Sequence, residues 1–310
     1  MDWAPIVLFT YFRPEHTRRT IEALKANRGA AQSDLILFSD GPKTPEHAPR
    51  VEEVRQYLRT VDGFNSVQIV ERDRNWGLAN SVIAGVSQLC DERGRCVVME
   101  DDMLSSPNFL EFINAALETY KGRPDIFSAT GYNYPLTIPH NFPDDAYLSF
   151  RSSSWGWATW DDRWRKVDWQ LKDFEAFLED PEELALFARG GNDLLAMLKL
   201  QMQGKLDSWS IRFDYAHYKF DALCLHPIKS KIHNIGFDGS GIHCSVSDEY
   251  SVDLDPGDKP FRLDPRMQLN PRMLQSFNQM FRKDSLPGLT PAQVISTLNR
   301  ANRPARVTLS

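Results

Sequence analysis

The sequence predicts an α/β fold in which helices flank a mostly parallel sheet, and two observations support this prediction. Short apolar runs alternate repeatedly with segments of helical periodicity over the first hundred residues. Such runs are typical of strands covered on both faces, and the alternation is typical of parallel strands joined by crossover helices. With 310 residues, 42% of them hydrophobic and 25% charged, the chain can form one large domain or two smaller ones.

Each predicted element follows from a local pattern. The predicted strands are residues 5–10, 34–39, 66–70 and 95–99. The predicted helices are one after Arg13-Pro14 with Thr17, Ile21 and Leu24 on one side, then residues 51–58, then residues 78–89, and a fourth from about Phe109. Polar or flexible residues follow the strands at 10–13, 40–41, 75–77 and 100–102. Because ligands bind at the carboxyl ends of parallel strands, the sequence predicts a site at this edge of the sheet.

The acidic run Glu100-Asp101-Asp102 is the most informative of these strand ends. Three adjacent carboxylates repel one another unless a positive group lies among them. A hard divalent cation with oxygen ligands, shared with a substrate phosphate, is the simplest candidate. The alternative is an acidic turn before a helix capped by Ser105 or Ser106.

Composition and motifs disfavour several other classes of protein. A net charge of −6 argues against a general nucleic-acid binder. No G-x-G-x-x-G follows the first strand and no G-x-x-x-x-G-K-[ST] occurs, which argues against a dehydrogenase and a P-loop NTPase. No secretory signal and no apolar segment of ~20 residues is present, so we expect a cytoplasmic protein. The cysteines lack paired metal-ligand spacing and suit reduced thiols: Cys90, Cys96, Cys224 and Cys244.

An ordered set of short motifs runs from the N-terminus to just past Phe112. They are Thr10-Tyr11-Phe12-Arg13-Pro14, Ser39-Asp40-Gly41, Asn75-Trp76-Gly77-Leu78, and Glu100-Asp101-Asp102 with Ser106-Pro107-Asn108-Phe109 behind it. In these motifs the chain resembles the nucleotide-sugar-dependent glycosyltransferases of the GT-A fold, whose sheet is Rossmann-like. Within them it is most similar to the branch of N-acetylglucosaminyltransferase I and its bacterial relatives. A weaker likeness continues through Asp207-Ser208-Trp209 and residues 234–241.

The resemblance implies a nucleotide-diphosphate sugar as donor, with a UDP-sugar favoured, and Mn²⁺ or Mg²⁺ as cofactor. Asp102 is implied as the direct metal ligand, since a bound cation neutralises the charge that develops on the leaving diphosphate. Asp101 and Glu100 would contact the ribose, the sugar or water molecules on the metal. The chain has Glu100 where the family's D-x-D motif usually begins, so the role of Glu100 stays open.

The residues that the resemblance implies for donor binding also include Thr10, Arg13, Asp40, Asn75 and Gly77. Asp40 would accept a hydrogen bond from the nucleotide base, and Arg13 would contact the base or a phosphate. Plainer interpretations remain beside these: Asp40 as a turn residue, Arg13 as a surface charge and Gly77 as a helix entry.

A cluster of tryptophans opens the second half of the chain. Its members are Trp155, Trp157, Trp160, Trp164 and Trp169. Aromatic rings can stack on the apolar faces of sugars, and we expect Trp157 to border the donor sugar. The alternative is a tryptophan-rich core that packs a helix onto the sheet.

Asp207 is the candidate catalytic base, in the segment that resembles the one carrying the family's base. An inverting transfer needs a carboxylate that takes the proton of the acceptor hydroxyl. Asp161 or Asp162 is the second choice, and the plainer interpretation of Asp207 is a helix N-cap.

The glycine-rich residues 234–243 suit a loop that folds over a diphosphate, or else an ordinary surface loop. His243 would reach the phosphates or the metal, although a lone histidine is more often structural.

The sequence thus predicts a metal-dependent, inverting glycosyltransferase of the hexosyl or N-acetylhexosaminyl type, acting in polysaccharide biosynthesis on a glycan, glycolipid or other hydroxyl acceptor. Residues 1–130 would be the nucleotide-sugar-binding half, 131–260 the acceptor-side and catalytic half of the same domain, and 261–310 a helical extension. A peripheral contact with the inner face of a membrane, through arginines of the tail, stays open. The alternatives are a sugar-phosphate nucleotidyltransferase and a non-catalytic nucleotide-sugar or glycan-binding protein.

Overall fold

The structure is a computed structural model that describes residues 2–239 and 247–281. Its strands are β1 (Ile6–Thr10), β2 (Asp34–Ser39), β3 (Ser66–Glu71), β4 (Arg95–Glu100), β5 (Met103–Ser105), β6 (Ile126–Thr130), β7 (Ala146–Ser149), β8 (Trp157–Trp160), β9 (Leu223–Pro227) and β10 (Ile232–Asn234). Its helices are α1 (Pro14–Lys25), α2 (Ala48–Leu58), α3 (Leu78–Arg93), α4 (Phe109–Thr119), α5 (Asp161–Trp164), α6 (Phe174–Leu178), α7 (Pro181–Phe187), α8 (Leu194–Met202), α9 (Trp209–Lys219) and α10 (Pro271–Phe281).

The first four strands form the parallel half of an eight-stranded sheet, in the order β3-β2-β1-β4. The parallel sheet that the sequence predicts is therefore confirmed. The chain runs outward from β1 through β2 to β3 and then returns to the other side of β1 as β4. This reversal opens a crevice between the carboxyl ends of β1 and β4, where open α/β sheets bind ligands.

The other half of the sheet is mixed, in the order β8-β6-β9-β7 beyond β4. Strand β8 runs antiparallel to both β4 and β6, and Trp160 at its end pairs with Arg95 at the beginning of β4. Strands β5 and β10 form a separate antiparallel pair close to the end of β4.

Side-chain alternation distributes the core to both faces of the sheet. On β1, Ile6 and Leu8 join a cluster with residues of α1, α2 and α4, while Val7 and Phe9 join a cluster with residues of α3 and α9. All five residues of β1 are buried. This burial explains why the strand is a continuous apolar run rather than an alternating one.

The end of helix α3 differs from the sequence prediction for a local reason. Helix α3 continues to Arg93 and ends at Gly94, which adopts a φ of 75° and donates its N–H to the carbonyl of Cys90. Such a left-handed glycine is a common helix terminator. In the region that the sequence predicts as a helical extension, α10 ends at Phe281, and the residues beyond it lie outside the described part. Within that part, no helix combines the length and the apolar character needed to cross a membrane.

Candidate active site

A cleft of about 300 Å³ lies at the crevice between β1 and β4, and we call it the switch-point cleft. It is lined by Phe9, Thr10, Tyr11, Phe12, Arg13, Phe38, Asp40, Lys43, Asn75, Gly77, Leu78, Ser81, Glu100, Asp101, Asp102 and Asp207. The structure thus brings together most of the side chains that the sequence singled out for donor binding, metal binding and catalysis. They come from four separate strand ends and from the loop before α9.

Arg13 lies among the carboxylates of the acidic run. Its guanidinium Nη2 contacts Asp101 Oδ1 and lies 2.8 Å from Asp102 Oδ2. The positive group that the sequence leads us to expect beside these acids is therefore, in the first instance, an arginine of the chain itself. Thr20 on α1 fixes the turn by donating to the carbonyl of Asp101 at 2.9 Å and accepting from the N–H of Met103 at 3.1 Å.

The acids carry more negative charge than one guanidinium balances. Burial, together with the charges of Asp102 and Asp101, raises the pKa of Glu100 to about 8. Burial also raises the pKa of Asp101, although the Arg13 charge opposes that shift. Burial alone would lower the pKa of Arg13, but the charges of both aspartates raise it above its usual value. Arg13 therefore stays cationic at any ordinary pH.

One oxygen of Asp102 is available for a further partner. Asp102 Oδ1 is buried and, among the described residues, has no hydrogen-bond partner, whereas Oδ2 accepts from Arg13. An orphaned anionic oxygen next to two more carboxyl groups suits a hard divalent cation with oxygen ligands. No group of three or more histidine, cysteine or acidic side chains within the described residues is arranged to hold a metal. A cation here would thus need oxygens from a ligand or from water to complete its coordination.

The segment after β10 covers Asp102. The N–H of Ile235 donates to the Asp102 carbonyl at 2.8 Å, and Asn234 Oδ1 accepts from the N–H of Gly236 at 2.7 Å. A Cβ on Gly236 would lie only 2.1 Å from Asp102 Oδ2, so a side chain cannot be placed there without displacing the carboxylate. The described part of the glycine-rich segment, residues 234–239, therefore passes directly over the acidic run.

Asp40 shapes the opposite wall of the cleft. Its Oδ1 accepts from the N–H of Gly41 at 3.0 Å and of Trp76 at 2.9 Å, and its Oδ2 accepts from the N–H of Gly77 at 3.0 Å. These bonds hold the loop before α3, where Gly77 has a φ of 77°. Asn75 joins the same loop by donating to the Gly41 carbonyl at 2.9 Å. Asp40 and Asn75 thus have structural partners as well as positions in the lining.

Asp207 lies at the mouth of the cleft, opposite Gly77. Its Oδ2 would lie 3.7 Å from a Cβ on Gly77, and its Oδ1 lies 3.5 Å from Nη2 of Arg212. The side chain of Asp207 is 62% exposed, so a hydroxyl from solution can reach it. Asp207 is not a helix N-cap, because Ser208 occupies that position and its Oγ accepts from the N–H of Ile211.

Three of the side chains singled out by the sequence lie outside the switch-point cleft. Asp161 and Asp162 follow the end of β8, which is antiparallel to β4, so they lie beside the beginning of β4 at the opposite edge of the sheet. Neither residue therefore lines the switch-point cleft, in contrast to Asp207. Trp157 is 1% exposed and stacks on Trp209 at 4.7 Å, within the core rather than in the cleft lining.

His243 lies outside the described residues, so its predicted contact with the phosphates or the metal has no structural counterpart here. Conversely, the lining contains side chains that the sequence analysis did not single out, among them Lys43 and Ser81. The N–H of Lys43 donates to the Tyr11 hydroxyl at 2.9 Å, which ties its loop to the end of β1. The position of Tyr11 after the first strand placed it at the predicted site. No pattern in the sequence indicated that the backbone of Lys43 would bond to it.

Comparisons with known proteins give distant structural likenesses. No family model matches the chain, and no curated protein matches it in sequence. The mannosyltransferase PcManGT from Pyrobaculum calidifontis, in complex with GDP-Man and Mn²⁺, is similar at 11% identity and a TM-score of 0.39, over 54% of this chain and 47% of its own. S. aureus TarS 1–349 is similar at 7% identity and 0.40, over 74% and 60%. Mouse xyloside xylosyltransferase 1 in its apo form is similar at 9% and 0.35, over 69% and 80%.

The chain spans less than two thirds of the mannosyltransferase and of TarS. At these identities and TM-scores the likeness carries no conclusion about activity.

Proposed function

We propose that the chain is a nucleotide-sugar-dependent glycosyltransferase of the hexosyl or N-acetylhexosaminyl type. It would transfer the sugar of a nucleotide-diphosphate donor to a hydroxyl group of a glycan, glycolipid or similar acceptor. The observation that carries the proposal is the meeting of two different carboxylates in one cleft. Asp102 has a buried oxygen without a partner among the described residues, and Asp207 is exposed at the mouth.

The cleft has the chemistry that a nucleotide diphosphate needs. Arg13 and Lys43 bring positive charge to the lining, and Phe9 and Phe38, whose rings stack at 5.4 Å, bring apolar surface. A nucleotide presents both a flat ring and anionic phosphates, so a lining of this composition suits it. Asp40 would also meet the base, in addition to its bonds to the loop before α3.

Asp207 and Asp102 would have different roles in the transfer. Asp207 would accept the proton of the acceptor hydroxyl as the oxygen attacks the anomeric carbon, and the diphosphate would leave from the opposite face with inversion. Asp102 Oδ1 would hold Mn²⁺ or Mg²⁺, with Asp101 or Glu100 contributing directly or through water. When bound, such a cation neutralises the charge that develops on the leaving diphosphate. Arg13 would keep the aspartates in place and contact a phosphate.

A sugar-phosphate nucleotidyltransferase is less well supported. That class usually carries a glycine-rich, basic loop after its first strand, and this chain has Tyr11-Phe12-Arg13-Pro14 there. The N-acetylglucosaminyltransferase I branch stays a prediction from the motifs, and the identity of the donor would decide it.

The proposal is tested by comparing Asp102→Asn and Asp207→Asn with Asp162→Asn as the matched control. Asp162 is also an aspartate, but it lies at the opposite edge of the sheet. Calorimetry measures the binding of UDP-, GDP- and dTDP-sugars with Mn²⁺, and nucleoside diphosphate release measures turnover. We expect Asp102→Asn to weaken metal-dependent donor binding and Asp207→Asn to retain binding but lower turnover about 10²- to 10⁴-fold.

Different results would overturn different parts of the proposal. If no nucleotide sugar binds the unaltered protein, the switch-point cleft is not a donor site. If a donor turns over and Asp207→Asn behaves as Asp162→Asn does, the base is another residue. Release of pyrophosphate from a nucleoside triphosphate and a sugar phosphate would favour the nucleotidyltransferase.

A further inference from the structure

A second cavity, of about 160 Å³, lies beside the N-terminal half of α9, and we call it the serine cavity. Hydroxyl-bearing and carboxyl-bearing side chains line it: Ser152, Ser153, Ser154, Ser210 and Asp214. Trp155, Tyr134 and Tyr250 add aromatic surface. A cavity with both aromatic faces and several hydroxyl groups suits a ligand that has apolar faces and a hydroxyl-rich edge, which is the character of a sugar ring.

Asp214 makes this cavity selective for hydrogen-bond donors. This residue is 6% exposed, and its Oδ1 accepts from the N–H of Ser152 at 2.7 Å. A buried carboxylate accepts further hydrogen bonds but donates none while ionised. Sugar hydroxyls are donors of the kind that this group would attract.

The charge around the cavity disfavours an anionic ligand. Arg151 is its only cationic lining residue within the described part of the chain, and that guanidinium is engaged by Asp193, with Nη1–Oδ1 at 2.8 Å and Nη2–Oδ2 at 3.0 Å. With Asp214 added, these three charges sum to one negative charge. A phosphate or a carboxylate ligand would therefore be repelled, whereas a neutral ring would not.

The serine cavity and the switch-point cleft adjoin the same two segments. The first is the beginning of α9, where Asp207 lines the cleft and Ser210 lines the cavity. The second is the segment over the acidic run, where Gly236 lies against Asp102 and the next residue, Phe237, contacts the Trp155 ring at 5.6 Å. The serine cavity therefore neighbours both the segment that carries Asp207 and the segment that covers Asp102.

We propose that the serine cavity binds one neutral sugar ring and that this ring is part of the acceptor. The cavity is smaller than the usual range for drug-sized ligands, roughly 300–1,000 Å³, so it suits a single ring rather than an oligosaccharide or a nucleotide. The binding of a sugar here stands independently, but its role as acceptor rests on the proposed function.

The test uses the full chain and a panel of methyl glycosides of neutral hexoses and N-acetylhexosamines. Saturation-transfer difference NMR measures binding with and without UDP or GDP and Mn²⁺, and glucose 6-phosphate serves as an anionic comparison. Ser210→Leu would fill the cavity, and Trp155→Ala would remove a ring surface. Ser208→Ala is the matched control, because Ser208 Oγ lies 3.0 Å from Ser210 Oγ but does not line the cavity.

We expect at least one neutral glycoside to bind, with binding weakened at least tenfold in Ser210→Leu and Trp155→Ala and retained in Ser208→Ala. The inference is overturned if no glycoside of the panel binds under either condition, or if Ser210→Leu binds as the unaltered protein does. A separate nucleotide titration distinguishes the two proposals. Donor binding without glycoside binding would overturn only the proposed sugar site in the serine cavity. Glycoside binding without donor binding would overturn only the proposed glycosyltransferase function.

Discussion

Arg13 Nη2 lies 2.8 Å from Asp102 Oδ2, while the other oxygen of Asp102 has no hydrogen-bond partner within the described residues. The two oxygens of one carboxylate thus have different environments. The first is paired with a guanidinium of the chain, and the second is buried without such a partner. Arg13 would therefore share Asp102 with a bound cation rather than exclude it.

Replacing Arg13 by methionine should make the protein depend more strongly on a divalent cation. The guanidinium and both aspartates are largely buried, so removing the positive partner leaves uncompensated charge. We expect the free energy of unfolding without metal to fall by about 3 kcal/mol and Mn²⁺ to restore part of it. Thermal unfolding with and without MnCl₂ measures this. Arg18→Met, which alters an exposed arginine on the same helix, is the control. An equal effect of Mn²⁺ on both variants would contradict the prediction.

Gly236→Ala should impair the cation site while leaving the fold largely intact. The added methyl would lie 2.1 Å from Asp102 Oδ2, so either the carboxylate or the covering segment has to move. We expect Mn²⁺ affinity, measured by calorimetry, to fall at least about tenfold, which corresponds to about 1.4 kcal/mol. Gly122→Ala is the control, because a Cβ there meets no atom of the described residues within 4 Å. Unchanged Mn²⁺ affinity in Gly236→Ala would show that the metal does not bind at Asp102.

Asp40→Ala should destabilise the loop before α3. The carboxylate accepts three backbone N–H bonds, from Gly41, Trp76 and Gly77, and a methyl group can replace none of them. Hydrogen bonds to charged groups contribute more than neutral ones, and we expect a loss of about 2–3 kcal/mol in urea unfolding. Asp73→Ala, at an exposed position in the same loop, should cost little. A loss in Asp40→Ala no larger than in Asp73→Ala would refute the structural role.

His217 should make stability fall as the pH falls below about 6.5. This histidine is fully buried, its Nδ1 bonds the Phe213 carbonyl at 2.8 Å, and burial lowers its pKa to about 4. Between pH 6.5 and 4 the unfolded chain binds a proton that the folded chain does not, so unfolding is favoured by up to about 3 kcal/mol.

His217→Gln should therefore show a smaller loss of stability across that pH range, measured by chemical unfolding at several pH values. The variant is compared with His140→Gln, which alters an exposed histidine and should keep the slope of the unaltered protein. Equal slopes in all three proteins would show that His217 is not the source of the acid sensitivity.

The sequence was sufficient for the parallel half of the fold because each strand there is a self-contained apolar run. It also indicated where Thr10, Asp40 and Asp102 would meet, since the ends of parallel strands share an edge. The sequence did not indicate on which side of the sheet the Trp157 side chain would lie. The position of that side chain depends on β8 entering antiparallel between β4 and β6, and no local pattern states that pairing. The position of Arg13 among the acidic side chains likewise depends on how α1, which begins at the next residue, packs against the sheet.

The pairing of β5 with β10 has a consequence for the order of folding. Met103 faces Asn234 in this ladder, so the cover over Asp102 joins residues from opposite halves of the chain. Contacts between distant positions close large loops, which makes them slow to form. A newly made chain would therefore form its parallel strands early. Its acidic run would stay uncovered, with its carboxylates repelling one another, until the second half of the chain has been made. The cover over Asp102 would be among the last features to form, and a chain shortened before Ile232 would lack that cover.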